Sequence, residues 1–85
     1  MNGEITFGRW LRQRRQALDL TQEELADRIG CSSETIRKIE VGRRLPSRQL
    51  VELLAEDLGV PPDEREDLIR MARSGVIRYQ EGTMS

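Results

Sequence analysis

Residues 20–47 read LTQEELADRIGCSSETIRKIEVGRRLPS, and this stretch decides the fold. Thr21 followed three residues later by Glu24 is the pattern in which side chain and backbone cap one another at a helix start. Leu25, Ala26 and Ile29 then give an apolar edge, and Gly30 stands where a left-handed residue stops a helix. The segment predicts a helix of about two turns. Ser32 is a second capping residue, and a new helix runs from Ser33 to Val41, ended by Gly42. At roughly 100° per residue, Ser33, Glu34, Arg37, Lys38 and Val41 share one arc of about 140°. Thr35, Ile36, Ile39 and Glu40 share the opposite one. The inner side carries no charge except Glu40, and the outer side is polar except Val41.

Two short helices joined by a sharp glycine turn are laid out as a helix-turn-helix. Upstream, Thr6 caps a helix in which Phe7, Trp10, Leu11, Arg14 and Leu18 recur at three- and four-residue steps. The Arg14 stem can lie along these neighbours with its guanidinium in water. Downstream, Arg43, Arg44, Leu45 and Pro46 form a basic loop, and Ser47 caps a fourth helix carrying Leu50, Leu53, Leu54 and Leu58 at core spacing up to Gly59. Pro61 and Pro62 break the chain before a fifth helix, acidic at its start, that turns Leu68, Ile69 and Ala72 inward before Ser74 and Gly75. The expected architecture is all-α, a compact five-helix domain over residues 1–74, followed by a short C-terminal tail, 75–85, that frays.

Eighty-five residues make one domain, too small for a deep catalytic cleft. The absence of histidine removes a His-based triad, a His general base and His metal ligands. Cys31 is alone, so neither an internal disulfide nor a zinc module can form, and a reducing compartment fits. No apolar run is long enough for a membrane span and no leader pattern occurs, so a cytoplasmic location is expected. The net charge of −1 argues against a polyanionic partner, but its distribution argues the other way. Residues 1–20 carry +2, residues 31–50 carry +3 and residues 51–67 carry −6. Either the folded molecule has one positive and one negative face, or each block is a solvated helix surface.

The run from Leu20 to Ser47 closely resembles the helix-turn-helix domain of the phage-repressor and Cro family, also called the xenobiotic-response-element type. The matching features are Thr21 with Gln22, Glu24, Leu25, Ala26, Gly30, Ile36, Ile39 with Glu40, Gly42, and Pro46 with Ser47. The resemblance covers about Phe7 to Leu58, and a fifth helix fits the family's lambda-repressor-like domain. It implies sequence-specific binding of double-stranded DNA in transcriptional control, with the helix over residues 33–41 in the major groove. Ser33, Glu34, Arg37 and Lys38 would then face base edges. Gln22 at a helix N-terminus, and Arg43 and Arg44 in the loop, would hold phosphates. Arginine or lysine donates to guanine O6 and N7, and a carboxylate accepts from cytosine N4, which favours half-sites containing G·C. Phage members often carry glutamine where Ser33 stands, and a serine hydroxyl discriminates weakly. The family pairs the glutamate at Glu40 with an arginine at the position of Arg15, which makes both architectural. It usually has an aliphatic residue at Arg14. The segment FGRWLRQRRQALDLTQEELA also resembles the DNA-binding end of larger bacterial regulators that continue into ATPase domains, so the chain is either such a module or a small stand-alone regulator.

A single motif buries little surface, so tight operator binding implies a homodimer. The alternative from another class is a protein-interaction module of the same fold, as in bridging factors and antitoxins, with the acidic stretch from Glu52 to Asp67 gripping a basic partner. Enzymatic activity is not expected: Asp63, Glu64, Glu66 and Asp67 most simply complement a helix dipole. Trp10 reads as a core or dimer contact and Cys31 as a small semi-buried residue. No cofactor, metal or membrane partner is implied.

Overall fold

The computed structural model describes residues 6–84, and the side chains of residues 6–73. Five helices follow in order: α1 (Phe7–Ala17), α2 (Gln22–Ile29), α3 (Ser33–Glu40), α4 (Arg48–Asp57) and α5 (Pro62–Met84). Each of the first four starts at a hydroxyl that accepts a backbone N–H three residues on, namely Thr6, Thr21, Ser32 and Ser47. Such a cap satisfies a donor that the helix cannot, for about 1 kcal/mol. At Thr21 the exchange is reciprocal: its hydroxyl accepts from the Glu24 N–H at 3.0 Å, and the Glu24 carboxylate accepts from the Thr21 N–H at 2.9 Å.

The helix ends are equally local. Gly30, Gly42 and Gly59 adopt positive φ after α2, α3 and α4. After α1 the same role falls to Asp19, at φ 59°, a conformation that short polar side chains tolerate better than others. Leu18 therefore ends α1 rather than extending its apolar stripe, and it is 47% exposed, unlike the expected core position.

Phe7, Leu11, Leu25, Ile36, Ile39, Val51, Leu54, Ala55 and Leu68 form the centre of one core. In α4 the buried set is Val51, Leu54, Ala55 and Leu58, while Leu53 is 41% exposed. Leucine spacing fits two adjacent arcs of α4, and packing against both α5 and α2 selects the arc through Val51 and Ala55. Arg14 is half-buried, its guanidinium carbon 5.9 Å from the centre of the Trp10 ring. Its Nε is enclosed without a hydrogen-bond partner, so that nitrogen does not reach water.

The backbone of α5 continues past Ser74 and Gly75, where the sequence predicts an end and a tail. Serine and glycine in a helix interior cost no more than about 1 kcal/mol each, too little to force a stop without a proline. The tail's side chains, and Ser85, lie outside the described residues.

Candidate nucleic-acid interface

Helix α3 is held on one side and open on the other. Ile36 and Ile39 are 0% and 2% exposed, and burial of each is worth roughly 1.5–3 kcal/mol. Gly8 fixes the far end: a methyl added there would lie 2.5 Å from the Ile39 carbonyl oxygen and 2.6 Å from that of Glu40. Helix α1 thus crosses the C-terminal turn of α3 at backbone distance. After α3, the Arg43 N–H donates to the Lys38 carbonyl at 2.8 Å, which folds the basic loop back onto the helix end.

The outward arc brings Ser33, Glu34, Arg37 and Lys38 together. Ser33 is half-buried at the first helical position, and Glu34 and Arg37 are exposed, with Lys38 beside them. Glu34 sits 2.8 Å from Arg37 and 3.9 Å from Lys38. The hydrogen bond from Arg37, followed by the Arg37 charge, holds the Glu34 carboxyl below its ordinary range. Val41 continues the arc, 51% exposed. Arg43 and Arg44 stand in water beside it, Arg44 reaching the Thr35 hydroxyl at 3.5 Å. Cys31 lies half-buried at the turn; burial pushes its thiol up, against a smaller pull from the Arg44 charge.

Glu40, on the inner arc, accepts three hydrogen bonds from two side chains. Arg15 donates through Nε to Oε2 at 2.7 Å and through Nη2 to Oε1 at 3.1 Å. The remaining arginine nitrogen donates to the Leu20 carbonyl at 2.8 Å, tying in the loop between α1 and α2. The Gln22 amide donates to Glu40 Oε1 at 3.0 Å. The Glu40 side chain is 3% exposed and that of Arg15 11%, so both charges are withdrawn from water and compensated in place. Nothing in the sequence signals the Gln22 bond or the Gly8 approach. Both depend on residues far apart in the chain meeting as α1, α2 and α3 pack, whereas the caps arise within one turn.

Among the described residues no helix is long and apolar enough to cross a membrane, and no cluster of three or more acidic or cysteine side chains is arranged to hold a metal ion.

The chain is 47% identical over 49 residues to an uncharacterized HTH-type transcriptional regulator of Methanothermobacter thermautotrophicus, covering 58% of this chain and 71% of the relative. It is 38% identical over 64 residues to an uncharacterized HTH-type transcriptional regulator of Bacillus subtilis, 75% of this chain and 91% of the relative. With multiprotein-bridging factor 1 of Candida albicans it shares 37% identity over 57 residues, 67% of this chain but only 38% of that protein. No solved structure gives a significant match. The helix-turn-helix domain family matches over residues 6–68, a span that takes in α1 to α4 and the start of α5, and the chain belongs to that family.

Proposed function

We propose that this domain binds double-stranded DNA sequence-specifically and acts as a transcriptional regulator in the cytoplasm, as a homodimer, with α3 in the major groove. The observation that carries the reading is the division of α3: its isoleucines hold the core while Ser33, Glu34, Arg37 and Lys38 stand together on the open side. An α-helix fits the major groove, where each base pair presents a distinct donor and acceptor pattern. Arg37 and Lys38 donate to guanine and Glu34 accepts from cytosine. The ion pair between Glu34 and Arg37 is exposed and contributes little, so guanine can take the arginine at small cost. Gln22, Arg43 and Arg44 bind phosphates and set the register. Arg15 and Glu40 read nothing and keep the frame. The HTH-type regulators to which the chain is similar support this reading.

Selection of bound sequences from a random duplex pool tests it, followed by affinity measurements at rising salt. Recovery of a G·C-containing site is expected, with affinity falling about tenfold between 50 and 200 mM salt for the two loop arginines alone. A flat salt response overturns the reading.

A second reading has one observation in its favour, the similarity to multiprotein-bridging factor 1. In it the acidic surface of α4 and early α5, including Glu52, Glu56, Asp63 and Glu64, grips a basic protein partner. A stoichiometric partner that co-purifies, without salt-sensitive retention on DNA, supports this alternative.

A further inference from the structure

We propose that Glu40 is a positioning residue for the phosphate contact of Gln22, beyond its part in the ion pair with Arg15. This inference rests on the DNA-binding reading above. Glutamine carries an acceptor oxygen and a donor nitrogen of nearly equal shape, and a half-turn of the amide exchanges them. At the first position of α2 that exchange decides the sign of the contact. The nitrogen attracts a phosphate, and the oxygen repels it.

Glu40 settles the choice. An ionised carboxylate accepts hydrogen bonds and donates none. Its Oε1 receives the Gln22 amide nitrogen at 3.0 Å and Arg15 Nη2 at 3.1 Å, which fills the two lone pairs of that oxygen. The Gln22 oxygen cannot take the nitrogen's place there without setting oxygen against oxygen. The amide is locked with its nitrogen toward Glu40, and among the described residues its second N–H has no protein partner. That hydrogen is the one offered to DNA.

Arg15 makes the arrangement compatible with a polyanion. A bare carboxylate behind the phosphate site would repel it, but the arginine bonds both Glu40 oxygens and brings the pair to zero charge. The same arginine holds the Leu20 carbonyl, one residue before the α2 cap, so the pair and the helix start move together. Glu40 also closes α3, so the network fixes the phosphate donor relative to the base-reading helix.

The test is a double-mutant cycle on binding to a mixed-sequence duplex of about two helical turns at low salt. Because loss of one ionic partner strands the other, the reference background is the paired replacement Arg15→Met with Glu40→Leu, which removes both charges at once and is commonly tolerated. Thermal melting verifies that it folds. Gln22→Ala is expected to weaken binding roughly tenfold in the natural protein, the weight of one hydrogen bond to a charged group. In the paired background it is expected to cost under about twofold. An equal loss in both backgrounds overturns the inference. Glu40→Gln, whose amide presents either face, is the second variant, and the Gln22 loss there should again fall below that of the natural protein. A loss as large as in the natural protein counts against the lock. Side-chain amide resonances of Gln22 supply a readout without DNA. They should be shifted in the natural protein and move to unstructured positions in the paired variant, and signals unstructured from the start overturn the proposal. If the natural protein shows no salt-dependent duplex binding, it is the DNA-binding reading that fails. Binding with no coupling to Glu40 sinks only the positioning role.

Discussion

Gly8 shows how much of an interface is set by a residue that presents nothing to it. Its Cα faces the carbonyls of Ile39 and Glu40 so closely that a single methyl meets backbone oxygen, which cannot rotate aside. Gly8→Ala should therefore lower stability by about 1–3 kcal/mol, the usual penalty for overpacking, although alanine favours a helix. Denaturant unfolding checks this, and an unchanged midpoint would mean that α1 can slide away from α3 at no cost. None of this is legible in the sequence, because a glycine in the first turn of an amphipathic helix looks like a mild defect. Gln22 is similar: its type and place suggest an outward donor, but its bond to Glu40 appears only once α2 and α3 meet. The positions of Leu18 and Leu53 are also hidden from periodicity. One falls beyond a helix end set by the left-handed Asp19, and the other lies on the arc of α4 that packing did not select.

At the scale of elements the sequence is far more transparent, since what starts and stops α2 and α3 lies within a turn of each boundary. Thr21 with Glu24, Ser32, Gly30 and Gly42 act through neighbours three to five residues away, and each performs in the structure the role its type suggests. The inner arc of α3 is legible for the same reason, with Ile36 and Ile39 buried and Val41 outside. Replacing Arg37 and Lys38 together with alanine should flatten base preference in a selection experiment. It should shift stability by no more than about 0.5 kcal/mol, because both side chains are about half exposed and their shared partner Glu34 stays solvated. A large fall in the thermal midpoint with base preference intact would make them part of the scaffold. Replacing Arg43 and Arg44 should instead weaken binding to all sequences alike and reduce the salt slope by about 2.

Along the chain, charge is segregated but not idle. The acidic stretch is partly answered from within, by Arg48 toward Glu52 and Glu66, Arg28 toward Asp57 and Arg70 toward Asp67. The loop cations Arg43 and Arg44 have no acidic partner among the described residues. In the DNA-binding reading, the loop cations supply a local attraction toward a polyanion, which a net charge of −1 conceals. If the domain acts as a pair, selected sites should show two half-sites one helical turn, about 34–36 Å, apart. Sedimentation with such a duplex should show two copies per duplex, and one copy on a single half-site would exclude the dimer.

The close crossing at Gly8 separates what α3 presents from how it is held. Because the tilt of α3 is clamped from behind, the residues on its outer arc are, in the DNA-binding reading, interchangeable lettering on a fixed plate: altering them is expected to rewrite the preferred operator without reshaping the fold. Bulk acquired at position 8 would do the reverse, re-aiming every letter at once while leaving the text unaltered.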